Sequence, residues 1–200
     1  MGGGGASTDK LIELVQNAKK SIDIQTPYLI TSKLSQSLFN EASKRGVKIR
    51  ILTNSLASTD NVEAFSGYQS GRKDLLNTGV RIFEFRPDAK IRKDIMTGEL
   101  QDLLNHKPIF GLHAKTMVID NKITVIETFN LDPRSANLNT ECLVVVDSEK
   151  IAHSVSKGME IEFKPENSWE TTLTFNPDSK VEKSKRIKTW TRKLIPKEIL

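Results

Sequence analysis

His113 and Lys115 stand two residues apart in the β-rich stretch GLHAKTMVID. That spacing turns both side chains to one face of an extended chain. An imidazole beside a fixed ammonium suits chemistry on a phosphodiester. The ring supplies a nucleophile or proton carrier, and the cation holds the negative charge that develops. Asp120 follows at a turn, and Thr128, Phe129 and Asn130 come after the apolar run that begins at Ile123. A two-residue turn at Asn121-Lys122, where Asn tolerates left-handed φ, sets Lys115 opposite Thr128 and His113 opposite Asn130. Directly opposed residues share a face, so these four polar side chains are expected to converge on one anion site. A turn at Asp120-Asn121 keeps that parity, whereas a three-residue loop destroys it.

The elements that must position this patch alternate between helix and strand. Thr8 or Asp9 is placed to cap a helix that turns Leu11, Leu14, Val15 and Ala18 to one face. The run SIDIQT reads as a strand stopped by Pro27, and Ser32 opens a second helix ended by Gly46. VKIRIL and VRIFEF are strands, and between them Asp60 to Asn77 reads as helix with a break near Gly67 and Gly71. After the hairpin, ECLVVVD is a strand, and Ser148 caps a helix through Ile151, Ala152, Val155 and Met159. This alternation predicts a layered α/β/α domain with a central mixed β-sheet. Asn54, Ser55 and Ser58 follow VKIRIL, where an α/β sheet places its ligands, although ordinary turn chemistry explains them equally well. The charged stretch from Arg86 to Phe110 lacks periodicity and reads either as a mobile segment at the mouth of the site or as plain disorder.

The pattern His113-x-Lys115-x4-Asp120 followed by Thr128-x-Asn130 resembles the signature of the phospholipase D superfamily. The continuation FNLDPRSANLNTE is similar to its cardiolipin synthase branch, with weaker likeness at TPYLIT, at RGVKIRILTNSLASTD and at the C-terminal LIPKEIL. The resemblance implies a phospholipase D-like fold and a metal-free, cofactor-free mechanism. One histidine attacks phosphorus while a second protonates the leaving alcohol and then deprotonates the acceptor. His113 is then one of the two histidines, and Lys115, Thr128 and Asn130 bind phosphate oxygens. Glu141 hydrogen-bonds and orients His113, and Asp120 organises the motif. Thr128 keeps the hydroxyl of the family's usual serine.

Two departures bear on activity. The family site needs two such motifs, and this chain has one: His106 and His153 have no lysine two residues on. The chain therefore reads as a C-terminal half that needs a second half, from a missing N-terminal half or from a homodimer mate. Glu127 stands where the family carries glycine, a residue that lets backbone approach a ligand. Strand parity is expected to turn Glu127 away from the face of Thr128 and Asn130; if it does not, its charge opposes a phosphate.

Residues 1–7 read as a flexible cloning leader, 8–182 as the phospholipase D-like domain, and 183–200 as a basic amphipathic segment. Two hundred residues suffice for a core. Cys142, the one cysteine, excludes an internal disulfide and is expected to be a buried small hydrophobe. No apolar run reaches the roughly 20 residues of a membrane span. The net charge of +5 suits either phospholipid head groups or nucleic acid. In the tail, Ile187, Trp190 and Leu194 share a helical face among cations. That pattern fits an interfacial membrane helix, and it equally fits a terminal helix docked on its own domain. Arg134 meets a second lipid phosphate or pairs with Asp132.

Three functions are compatible with these residues. The first is a phosphatidyltransferase half-enzyme acting on phospholipid, peripheral to a membrane on its cytoplasmic face. The others are a homodimeric phosphodiesterase acting on nucleic acid and a non-catalytic interaction domain.

Overall fold

The computed structural model describes residues 5–91 and 111–193. Helix α1 (Ala6–Asn17) begins earlier than the sequence suggests, with Gly5 at its cap instead of Thr8 or Asp9, and Asp9 in its first turn. Ala6 and Ser7, assigned above to the leader, are thus helical, and the Ser7 hydroxyl donates to the Glu141 carbonyl at 3.0 Å. Helix α2 (Lys33–Lys44) is capped as expected: Ser32 Oγ accepts the Ser35 N–H. It ends before Gly46, whose φ of 89° only glycine adopts without strain. Helix α3 (Val62–Asn77) is capped by Asn61 and runs through Gly67 and Gly71 without the expected break. Both glycines are buried on a helix that packs nine of its residues inward, so tertiary burial outweighs their poor helix propensity.

Three parallel strands, β1 (Ser21–Gln25), β2 (Lys48–Asn54) and β3 (Arg81–Phe85), form the middle of a seven-stranded sheet. Antiparallel strands extend it on both sides: β4 (Thr116–Ile119), β5 (Ile123–Glu127) and β6 (Leu143–Asp147) next to β1, and β7 (Ser168–Thr171) next to β3. The order is β6-β5-β4-β1-β2-β3-β7. One sheet face packs on α1, α2 and α3 through Ile22, Ile24, Ile49, Ile51, Met117 and Val125. The other packs through Leu52, Phe83 and Val118 on helix α5 (Glu149–Glu162), whose N-terminus Ser148 caps. The fold is thus α/β with a mixed central sheet, as the alternation predicted.

The hairpin register differs from the sequence reading, and this decides the geometry of the site. The tight turn lies at Asp120-Asn121, both with positive φ (54° and 52°), and the Lys122 N–H closes on the Ile119 carbonyl. Lys122 is then an extra residue, so Ile119 pairs with Ile123 and Thr116 with Ile126. This three-residue loop brings Lys115 opposite Glu127, whose N–H donates to the Lys115 carbonyl at 3.1 Å. Two long-range contacts explain the shift. The Asp120 carboxylate accepts the consecutive amides of Lys19, Lys20 and Ser21, which draws Asp120 out of the ladder. The Lys122 carbonyl is engaged by the Ser148 N–H at 3.0 Å. Burial alone would raise the Asp120 carboxyl, but those amides hold it below the usual range. Asp120 therefore organises the far end of the hairpin, away from His113.

Candidate active site

The segment carrying His113 is fixed from behind by β2. The Asn54 side chain, fully buried at the carboxyl end of that strand, clasps the Leu112 backbone: Leu112 N–H donates to Asn54 Oδ1 at 2.7 Å, and Asn54 Nδ2 donates to the Leu112 carbonyl at 2.9 Å. Ser58 Oγ braces Asn54 Oδ1 at 3.2 Å. Gly111 is needed here because a Cβ would sit 2.8 Å from the Ser58 carbonyl oxygen. Asn54 and Ser58 are thus positioning residues; the sequence offered only their place after a buried strand as a signal. Asn54→Ala would leave the buried Leu112 amide unpaired, and it should cost about 2 kcal/mol in urea unfolding and lower turnover. A variant as stable as the parent would show that the clasp contributes nothing.

His113 is exposed at the head of β4, and Lys115 is half-buried beside it. Lys115 Nζ lies 3.3 Å from His113 Nε2 and 3.3 Å from the His113 carbonyl oxygen. A ring with its proton on Nδ1 would accept from that ammonium and keep the Nε2 lone pair in the site. Burial lowers the Lys115 pKa from the usual lysine value, against the opposing charges of Glu141, Asp132 and Glu127.

Thr128 and Asn130 leave the end of β5 toward helix α4 (Pro133–Asn137). Thr128 Oγ1 donates to Glu141 Oε2 and accepts the Cys142 N–H at 3.0 Å. The Asn130 N–H donates to Ser135 Oγ at 3.1 Å, while its Oδ1 is buried without a hydrogen-bond partner among the described residues. Asp132 caps α4 through the Ser135 N–H at 2.7 Å; burial raises its carboxyl above the ordinary range. Arg134 is exposed on α4. Glu141 does not bond His113, as the family resemblance implied. Its carboxylate takes Thr128 Oγ1 and Asn139 Nδ2, and these bonds, with the charge of Lys115, outweigh partial burial and keep it below the usual range.

Glu127 is the main correction. The shifted register turns it toward Lys115 rather than away, and its Oε2 is buried without a hydrogen-bond partner among the described residues. Burial, reinforced by Glu141 and opposed by Lys115, pushes its carboxyl up to about 7. Cys142 also departs from expectation: it is exposed, because β6 is the sheet edge and alternate residues there meet solvent. His153 is exposed on α5 beside Asn121, at the hairpin-turn end of the sheet. Of the charged stretch before the motif, residues 92–110, with His106, lie outside the described residues. Its first residues are ordered: the Arg86 N–H donates to the Asn167 carbonyl and the Ile91 N–H to Asn167 Oδ1, both at 2.9 Å.

A mixed seven-stranded sheet that presents a histidine and a lysine from the head of one strand, with a hydroxyl and an amide from the next, defines a class. The chain belongs to the phospholipase D superfamily in its cardiolipin synthase-like branch: the family model "Cardiolipin synthase, PLD-like domain" matches residues 11–161. Among curated relatives, it is similar to cardiolipin synthase C of Escherichia coli (strain K12), 35% identical over 169 residues. That match covers 82% of this chain and 34% of the relative, so the chain spans about a third of that protein's length. Two solved structures share the fold. One is the phospholipase D family member Nuc from Salmonella typhimurium, with TM-score 0.60 and 17% identity over 84% of this chain and 92% of that one. The other is phosphatidylserine synthase from Haemophilus influenzae Rd KW20, with TM-score 0.63 and 14% identity over 100% of this chain and 46% of that one.

Proposed function

We propose that this chain supplies one half of a phosphatidyl-transferring active site that acts on phospholipid phosphodiesters through a phosphohistidine. The observation that carries the reading is the 3.3 Å contact from Lys115 Nζ to His113 Nε2, which sets a nucleophilic ring nitrogen beside a positive charge. In the reaction, Nε2 forms a bond to phosphorus as the bond to the leaving alcohol breaks. That alcohol takes its proton from a second histidine, which a second motif must supply. The same histidine then deprotonates the incoming acceptor alcohol, whose oxygen displaces Nε2 from phosphorus. Lys115 holds the phosphate oxygens; the shifted register sets Glu127 rather than Thr128 opposite it, and among the described residues no hydrogen bond joins Thr128 or Asn130 to Lys115 or His113. Glu141 holds the Thr128 hydroxyl and acts on Lys115 through its charge. Peripheral contact with a bilayer follows from such a substrate. Among the described residues, no helix is long and apolar enough to cross a membrane.

Turnover of labelled phosphatidylglycerol against a short-chain nucleotide diester, in the assembled two-motif enzyme, tests the substrate class. Lipid is expected to be the better substrate, and activity is expected to survive a chelator. Preference for the nucleotide would support the second reading, a homodimer acting on nucleic acid. The likeness to nearly the whole Nuc chain and the net charge of +5 favour that assembly. An inactive assembly would support an interaction domain, the reading that Glu127 beside Lys115 favours.

Glu127 makes the site pH-dependent. Its carboxyl is neutral below about 7 and charged above, where it competes with a phosphate for Lys115. Phosphate-ester affinity should fall roughly tenfold between pH 6 and 8, equivalent to about 1.4 kcal/mol. Glu127→Gln and Glu127→Gly should both flatten that fall and raise activity at pH 8. Stability changes in the same sense. A carboxyl near 4.5 when unfolded and about 7 when folded favours the fold fully below pH 4.5, and that advantage is lost as pH rises to about 7. Relative to the parent, Glu127→Gln should gain about 2 kcal/mol between pH 5 and pH 8 in denaturant titrations. Parallel pH profiles for parent and variant would remove Glu127 from the site.

A further inference from the structure

The helix α6 (Lys183–Arg192) docks on α3 by its polar side. Thr189 is fully buried, with its hydroxyl on the Lys185 carbonyl at 2.8 Å. Lys185 Nζ donates to the Thr59 carbonyl at 3.2 Å, and Arg192 Nε pairs with Glu63 at 3.0 Å. Just before α6, Asp178 is held by Arg72 and Gln69 of α3. A helix that docks through hydroxyl and cation contacts turns its apolar residues outward. Ile187 is 62% exposed and Trp190 69% exposed, and the chain beyond β7 adds Leu173 at 62% and Phe175 at 41%. Phe175, Ile187 and Trp190 line one open groove of about 820 Å³ whose walls also carry Lys183, Arg186 and Lys193. Among the described residues none of these three cations forms an ion pair with a carboxylate, and the Asp178 carboxylate in the groove is already engaged by Arg72.

We infer that this face of α6, with Phe175, is a docking surface for an anionic lipid bilayer. Trp190, Ile187 and Phe175 enter the head-group layer, and Lys183, Arg186 and Lys193 meet lipid phosphates. Contiguous exposed apolar side chains mark an interaction surface. A tryptophan beside other apolar side chains with a cationic rim matches the chemistry of a membrane interface. A nucleic-acid strand would use the cations and stack on Trp190, but it offers Ile187 nothing to bury against. The surface also has a fixed relation to the site: Lys185 anchors α6 to Thr59, in the same loop as Ser58, which braces the Asn54 clasp on Leu112. The inference deepens the phospholipid reading, and its test is independent of turnover, so either can fail alone.

The test uses the full chain carrying Trp169→Phe, which leaves Trp190 as the one tryptophan of the two in the sequence. It is mixed with vesicles of equal phosphatidylglycerol and phosphatidylcholine, with and without brominated acyl chains. Trp190 emission should shift to the blue and be quenched by the brominated lipid. Ile187→Ser with Phe175→Ser should weaken vesicle co-sedimentation about tenfold. Lys183→Gln, Arg186→Gln and Lys193→Gln together should abolish the preference for phosphatidylglycerol over pure phosphatidylcholine. All five side chains are exposed, so circular dichroism should show intact folds. Unchanged emission with vesicles would overturn the inference. So would quenching by single-stranded oligonucleotide alone, or a blue shift that grows with protein concentration in the absence of lipid. Trp190 emission already blue in buffer, and reddened by removal of residues 194–200, would assign the groove to the chain's own tail and overturn it too.

Discussion

Replacing His113 with alanine in the assembled enzyme should abolish turnover, a loss of roughly 10⁴-fold or more when a covalent nucleophile is removed. The argument is geometric. Among the described residues, His113 is the imidazole at this end of the sheet, and Lys115 Nζ lies 3.3 Å from its Nε2. His113→Ala should leave stability nearly unchanged, because the side chain is exposed and the segment is held through the Leu112 backbone rather than through the ring. Single-turnover measurements beside thermal unfolding separate the two effects. Near-normal activity in a folded His113→Ala enzyme would remove the nucleophile assignment.

Lys115→Ala should lower the rate by roughly 30- to 1,000-fold, the counterpart of about 2–4 kcal/mol for a lost transition-state donor. Two effects combine. The phosphate loses its cation, and Glu127, Asp132 and Glu141 lose the positive charge they surround. Glu127 is already near 7 with Lys115 opposing the rise, so its removal should push that carboxyl higher. The variant's residual activity should therefore show its pH dependence displaced upward relative to the parent. Lys115→Arg keeps the charge but replaces a compact ammonium with a planar fork, and it should recover only part of the rate. Full activity in Lys115→Ala would show that the ammonium serves the fold and not the phosphate.

The sequence displayed the layered frame and the membership of the site more clearly than its facing. Strands β1 to β3 are short runs built on Ile22 and Ile24, on Ile49, Ile51 and Leu52, and on Ile82, Phe83 and Phe85, closed by Pro27, by the Asn54 loop and by Arg86, and Ser32, Gly46 and Ser148 mark helix ends through local chemistry. Such signals act over a few residues and read directly. The hairpin register turned on Lys122 alone, and what displaced it came from far along the chain: the amides of residues 19–21 on Asp120 and the Ser148 amide on the Lys122 carbonyl. One extra residue in a ladder reverses every side chain beyond it, which is why Glu127 was expected to face away and instead faces Lys115. Asn54 shows the same limit, since its partner Leu112 is 58 residues distant. Of the tail's two readings, docking is the one observed: α6 packs on its own domain, and it does so by its polar side.

The covalent intermediate is the most direct measurement of the central claim. The assembled enzyme is quenched in acid-free buffer during turnover of labelled phosphatidylglycerol, and the labelled peptide is mapped by mass spectrometry. A phosphoramidate on His113, stable to base and labile to acid, and absent from the His113→Ala enzyme, is the expected result. Label on another residue of this chain, or turnover with no trappable adduct and a strict need for a divalent metal, would contradict the account.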